Sequence, residues 1–425
     1  MAESEVEVVV QIGGEDVSAG RLWSHRRRGT ESATFSYATE YLARPDAYEL
    51  DPALELSAGQ HQTPAGRAMF GAFSDCAPDR WGRRLMARAE QQRVCRVGGA
   101  ERSFGEIGYL LGVRDDMRQG ALRFRHPQTW TYVADEVTGV PPLVELPKLL
   151  NAAARLERDE ASETELATLL RGGSSLGGAR PKAHVLDEAG RVAIAKFPSA
   201  ASDEWDVMRW ESVALHLARR AEIRVPDSKL HLIDGKAVLI VDRFDRSGER
   251  RVGYVSAMTM LEATDGDQGS YLDILDVIET HSPRAGDDLR QLWRRIAFSI
   301  LISNTDDHLR NHGFLRTSTA GWSLSPAFDL NPDPRPGSKF LSTAIDFDDT
   351  AARVDTLMAV AEYFRLGPND ARAVLRDVSD ATSGWRHAAG VMGLNRPAVE
   401  QMAPAFEHDQ AVAARDLAGS LAERR

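Results

Sequence analysis

SNTDDHLRNHGFL, residues 303–315, decides the reading of this chain. Asp306 and Asn311 stand five residues apart in it. That is the spacing of the proton-accepting aspartate and the Mg²⁺-binding asparagine in phosphoryl-transfer loops of the form HRDxxxxN. Here the histidine follows the aspartate, as His308, so the loop departs from the eukaryotic pattern. Asn, Thr and Asp also cap helices where an apolar segment ends. Polar groups packed this densely behind an apolar face ask for a further reason.

That apolar face lies immediately upstream. Leu289, Leu292, Trp293, Ile296, Ala297, Ile300 and Leu301 recur at helical spacing, which predicts a helix ending just before Ser303. Downstream, GFLRTSTAGWSLSP reads as a hairpin with Gly321 at its turn, and Asp329 follows in LSPAFDL. An aspartate after such a strand is placed to hold Mg²⁺. Asp346, Asp348 and Asp349 read as a solvated loop.

Further upstream the most glycine-dense segment is RGGSSLGGARPKA, residues 171–183. Glycines let backbone N–H groups approach phosphate oxygens closely, although a plain helix-to-strand turn would also contain them. It is not a Walker loop, because GxxxxGK[ST] is absent. His184, Val185 and Leu186 then lead through Asp187–Gly190 into Val192, Ile194 and Lys196, a strand pair. Lys196 ends an apolar strand, where a phosphate-pairing lysine would sit; the same place suits a lysine reaching to solvent. A helix is expected over roughly 203–221, carrying Glu204 and Glu211. Either could orient Lys196, and Glu211 is preferred because it lies beside Trp210. KAVLIVDRFDR, residues 236–246, reads as a buried strand near Ala237 to Val241.

The opening segment alternates Val6, Val8 and Val10 with polar residues, the pattern of a half-buried strand, before Gly13-Gly14 turn the chain. Leu22, Phe35 and Tyr37 suggest further strands, and a helix runs past Pro78 through Trp81, Leu85 and Met86. The segmentation is then 1–126, a β-rich domain; 127–145, a linker with three prolines; 146–245, an N-lobe portion beginning with a helical stretch from about Leu146 to Leu170; and 246–425, a helical C-lobe.

Hydrophobic residues make up 43% of the 425 and charged ones 27%, an ordinary globular balance. The formal net charge of −11 makes the chain a poor nucleic-acid binder by itself. Cys76 and Cys95 form no CxxC pair, so neither a disulfide scaffold nor a thiolate metal site is expected. With no signal-like N-terminus and no apolar run near the roughly 20 residues of a membrane span, a cytoplasmic protein without a membrane partner is expected.

These pieces, in this order, resemble the HipA family of bacterial serine/threonine kinases, toxins of HipBA-type toxin–antitoxin modules. FSYATEYLA with FSDCAPDRWGRRLM looks like the family's N-terminal domain, SSLGGARPKAHV like its mobile phosphate loop, and DRFDR like its nucleotide-binding hinge. SNTDDHLRNHGFL and PAFDL look like its catalytic and metal-binding loops. The fold class expected is α+β, a two-lobed protein-kinase-like fold with a β-rich N-terminal part and a mainly helical C-terminal lobe. The resemblance implies ATP and Mg²⁺ as cofactors and Asp306 as catalytic base, with Asn311 and Asp329 as metal ligands. Gly177, Gly178, Ala179, Arg180, Pro181, Lys182 and Lys196 would hold the phosphates. Asp242, Arg243 and Phe244 would meet the adenine through backbone groups, and His308, Leu309, Arg310 and Phe328 would line the nucleotide. Ser175, or Ser174 beside it, would be the autophosphorylated, self-inactivating serine. The implied partners are a protein substrate and a small helix-turn-helix, HipB-like antitoxin, through which alone the chain would reach operator DNA. Competing expectations are a small-molecule phosphotransferase of the aminoglycoside or choline kinase type, and a non-catalytic DNA-associated regulator.

Overall fold

A computed structural model describes residues 4–27, 29–100, 103–134, 139–173 and 178–419. The chain forms two compact units, Met1–Ser202 with Leu232–Val255, and Asp203–His231 with Ser256–Arg425. Residues 1–126 and 146–202 thus share one unit, and the expected linker between them lies inside it.

The first unit opens on β1 (Ser4–Ile12), β2 (Glu15–Arg27), β3 (Thr30–Tyr37), β4 (His61–Gln62) and β5 (Leu122–Arg125). They form one sheet in the order β4-β3-β2-β1-β5. β1 forms as expected but is not half-buried: Val8, Val9 and Val10 are all fully covered. Glu7 and Val9 on one face and Val6, Val8 and Val10 on the other are all buried, so both faces of β1 are covered; the register with β2 slips between Val8 and Val9, where Ala19 is the extra residue on β2. Glu7 is sealed by Ser18 Oγ at 2.6 Å and by Arg125 at 3.1 Å.

The helix after Pro78 runs Arg80–Val97 and is capped by Asp79, whose Oδ1 accepts from Gly82 N–H at 2.7 Å. The helical stretch expected near 146–170 is instead two helices, Leu146–Glu157 and Glu163–Arg171. Asp159 adopts a φ of +59° between them, and Ser162 with Glu165 forms a capping box that starts the second.

Both helices pack on a second sheet that contains β6 (Lys182–Leu186), β7 (Val192–Lys196) and, after β8 (Ser228–Ile233), β9 (Lys236–Asp242). Leu149, Leu156, Leu169, Val185, Ala195 and Val238 form the core there, each at most 1% exposed. Burial of such side chains stabilises by about 1.5–3 kcal/mol each for the larger ones.

The second unit is mainly helical. Helix Val207–Arg220 is capped by Asp206 and buries Trp210 and Leu217. Helix Ala285–Leu301 buries all seven of its expected apolar positions, each at most 1% exposed. It ends where the sequence predicts, and Ser303, at φ +54°, turns the chain into the polar loop. A hairpin of Gly313–Ser318 and Gly321–Leu324 follows. Among the described residues no helix is long and apolar enough to cross a membrane.

Candidate active site

In the second unit the loop from Ser303 to Asn311 separates two adjacent aspartates. Asp306 is exposed. Asp307 is buried, and its Oδ2 accepts from Tyr271 Oη at 2.6 Å and Ser299 Oγ at 3.0 Å. His312 Nε2 lies 3.1 Å from its other oxygen. Burial alone would raise the Asp307 carboxyl; His312 and the two hydroxyls outweigh it and hold the group below the ordinary aspartate range. Asp307 is therefore an ionised anchor, and Asp306 is the carboxylate left available for chemistry.

Asn311 donates its amide N–H to the Asp306 carbonyl at 2.9 Å. That bond fixes the amide's orientation and leaves its oxygen as an acceptor for a cation. Asp329 sits at φ +55°, a left-handed conformation that costs roughly 1–3 kcal/mol outside glycine and clusters at functional sites. Its loop is tied to the first: Asn331 N–H donates to Asn304 Oδ1 at 3.2 Å, and Asp333 N–H to the Ser303 carbonyl at 3.2 Å. Asn304 is 1% exposed, so this link is protected from water. His308 caps the short 3₁₀ turn Leu309–Asn311 and keeps a buried Nδ1 without a hydrogen-bond partner. Leu309 is buried, and Arg310 pairs with Asp265 at the surface. Phe328 is half-buried beside Asp329.

Among the described residues no three His, Cys, Asp or Glu side chains form a ready metal cage. The donors available are one amide oxygen and one carboxylate. That set fits Mg²⁺, which keeps waters and takes its remaining oxygens from phosphate. Bound there, the ion would neutralise charge on the transferring phosphoryl group.

In the first unit Lys182 and Lys196 face each other across the β6–β7 pair. Lys182 is 7% exposed and pairs with Asp79 at 2.7 Å. Gly178, at φ +114°, lies against it, since a Cβ there would sit 3.0 Å from Lys182 Nζ. Pro181 is buried, while Ala179 and Arg180 are more open. Ser174, Ser175 and Gly177 lie outside the described residues. Gly172 and Gly173 are packing glycines: added Cβ atoms would meet Ala183 Cβ at 2.7 Å and Met117 Cγ at 2.8 Å.

The Arg243 side chain is committed to structure. It pairs with Asp245, and donates to the Met117 carbonyl at 2.9 Å, to the Arg118 carbonyl at 3.0 Å and to His184 Nε2 at 3.0 Å. Asp245 also accepts from Gly120 N–H at 2.7 Å. Burial would raise the Asp245 carboxyl, but Arg243 and Arg246 hold it well below the usual range. Asp242 is half-exposed near Arg191, and Phe244 stacks loosely on Tyr254. In the second unit Glu211 is 2% exposed, whereas Glu204 lies at the surface near Arg335. The anchoring roles of Asp307, Asn304, Asp79 and Asp245 were not read from the sequence, because each also rests on a partner distant in it: Tyr271, Asn331, Lys182 and Gly120 respectively.

This order of elements, with these loops, defines a kinase-like α+β fold of the two-lobed class. The family model described as HipA-like C-terminal domain matches residues 174–385, and that described as HipA N-terminal domain matches residues 10–105. The chain belongs to the HipA family. Across 96% of both chains it also matches a structure from the Shewanella oneidensis MR-1 toxin–antitoxin complex of HipA, HipB and operator DNA, with a TM-score of 0.62 at 15% identity. A Sinorhizobium fredii protein named "Putative kinase Y4dM" is 30% identical over 161 residues, 33% of this chain and 36% of that protein, so the match spans about a third of the relative's length. The Helicobacter pylori proinflammatory kinase CtkA aligns over 59% of this chain and 94% of its own, at 17% identity and a TM-score of 0.46.

Proposed function

We propose that the chain is an ATP- and Mg²⁺-dependent serine/threonine kinase that acts as the toxin of a toxin–antitoxin module. The observation that carries this reading is the division of labour at residues 306–311. Asp307 is buried and held by the Tyr271 and Ser299 hydroxyls, which leaves Asp306 exposed as the base, and the Asn311 amide is pinned with its oxygen turned to accept a cation.

Phosphoryl transfer needs positioning and charge neutralisation more than covalent chemistry. In this reading Asp306 accepts the proton of the attacking hydroxyl, and Asn311 and Asp329 hold Mg²⁺. Lys182, Lys196 and the backbone of Gly178–Pro181 face the phosphates, while backbone groups of Asp242–Phe244 meet the base. Phosphate on Ser175, or on Ser174, would add close to two negative charges to a loop that must itself approach the γ-phosphate, and so switch the enzyme off.

Calorimetric titration with ATP tests the metal assignment. Asn311→Ala and Asp329→Ala should each weaken Mg·ATP binding while leaving metal-free nucleotide binding unchanged. Wild-type affinity for Mg·ATP in either variant removes that residue from the ligand set.

A further inference from the structure

A groove of about 330 Å³ in the second unit borders the catalytic loop. One wall is the segment 341–345, which is bonded to that loop on both sides of Asp306. Ser342 donates to the Thr305 carbonyl through its N–H at 3.0 Å and its Oγ at 2.9 Å. Thr343 Oγ1 donates to the Asp307 carbonyl at 2.7 Å. Ala344 then bridges to the facing chain: it donates to the Gly269 carbonyl at 2.9 Å and accepts from Tyr271 N–H at 2.8 Å. The other wall reaches the loop through Gly269, where a Cβ would come within 2.9 Å of Leu309 Cδ1. A larger residue there would have to push the buried Leu309 side chain aside. Whatever sits in the groove is held by the segment that fixes the neighbours of Asp306.

The lining carries the carboxylates of Asp273 and Asp348 and no Lys, Arg or His. Asp273 turns one oxygen to Ser270 N–H at 2.7 Å and to Ser270 Oγ at 2.9 Å, and Asp348 is exposed. Phe347, in the turn closed by Asp346 and Asp349, is 74% exposed, and Leu341 lies in the wall below it. Carboxylates with no cation beside them disfavour phosphate, so the groove favours a cationic occupant over a nucleotide or nucleic acid. An exposed phenylalanine at the mouth of a groove is the kind of anchor that a bound chain covers.

We propose that this groove docks the acceptor polypeptide, an extended segment with Arg or Lys and a large apolar residue flanking the serine or threonine offered to Asp306. This rests on the kinase reading above and names its substrate class. Asp273 and Asp348 take the cation, and Phe347 with Leu341 takes the apolar side chain. A polycationic aminosugar would satisfy the carboxylates but leave Phe347 uncovered, which favours polypeptide.

Fluorescence-polarisation titrations on the full chain decide it, with Mg²⁺ and a non-hydrolysable ATP analogue present. The probe is a labelled seryl peptide flanked by Leu and Arg, and the control carries Glu in place of Arg. Phe347→Ala and Asp348→Lys change exposed positions, and nucleotide affinity is measured on the same samples. The wild type should prefer the Arg peptide, and each variant should bind it roughly tenfold more weakly or worse with nucleotide affinity unchanged. The proposal is overturned if the wild type binds no peptide or binds both equally. It is also overturned if both variants keep wild-type affinity, or if an aminosugar binds more tightly than the Arg peptide. Peptide binding with the expected dependence but no nucleotide binding would keep the groove and sink the kinase reading.

Discussion

Asp306 and Asp307 are chemically identical neighbours with opposite surroundings. Removing the buried one strands the hydroxyls of Tyr271 and Ser299 and the ring of His312. Asp307→Ala should therefore cost about 2–4 kcal/mol of stability, while Asp306→Ala at the surface should stay within about 0.5 kcal/mol. Denaturant unfolding of the two variants checks this, and equal losses would refute the division of roles. Because the folded-state Asp307 carboxyl lies below its ordinary value of 3.8, its contribution is present above about pH 4 and is lost as pH falls further. The alanine variant should lack that part of the acid limb. The spacing to Asn311 singles out Asp306 in the sequence. Nothing local identifies Asp307 as the anchor, since Tyr271 lies 36 residues away.

At the scale of elements, His184 on β6 joins two parts of the candidate nucleotide site within the first unit. Its Nδ1 bonds the Gly172 carbonyl at 2.9 Å, at the base of the glycine loop, and its Nε2 accepts from Arg243 at 3.0 Å, in the hinge segment. Burial first, then the Arg243 guanidinium, push the imidazole well below its ordinary value of 6.5. The unfolded chain takes up a proton that the folded one refuses, so stability is full above pH 6.5 and declines as pH falls below it. His184→Phe should flatten that decline and cost about 1–3 kcal/mol at neutral pH, because Arg243 loses a buried acceptor. Urea melts at pH 5 and 7.5 measure both effects, and an unchanged pH slope would contradict the role. The β6–β7 hairpin was legible from alternation and its Asp–Gly turn, but this cross-link was not, because it joins residues 59 apart. The break between the two helices before the glycine loop was legible in principle. Ser162 and Glu165 spell a capping box, which the continuing apolar period masks.

For the whole molecule, the order of glycine loop, lysine strand, helix and polar loops was enough to give the fold class. The return of residues 232–255 to the first unit was not, since it depends on buried bonds such as those from Arg243 to the Met117 and Arg118 carbonyls and from Gly120 N–H to Asp245 rather than on any run of sequence. A net charge of −11 argues against direct binding of DNA. In an electrophoretic shift assay at physiological salt the chain alone should leave operator DNA unmoved and shift it only with a helix-turn-helix antitoxin. Tight, sequence-specific binding by the chain alone would refute the partner assignment. The central claim, that Asp306 is the base of a phosphoryl-transfer site, is tested most directly by incubating wild type and Asp306→Asn with Mg²⁺ and labelled ATP. Phosphate incorporation and nucleotide affinity are followed on the same samples. The wild type should transfer label, and the variant should bind ATP as tightly yet transfer it about 10²–10⁴-fold more slowly. Undiminished transfer by Asp306→Asn, or a wild type that binds ATP and never transfers its phosphate, would contradict the account.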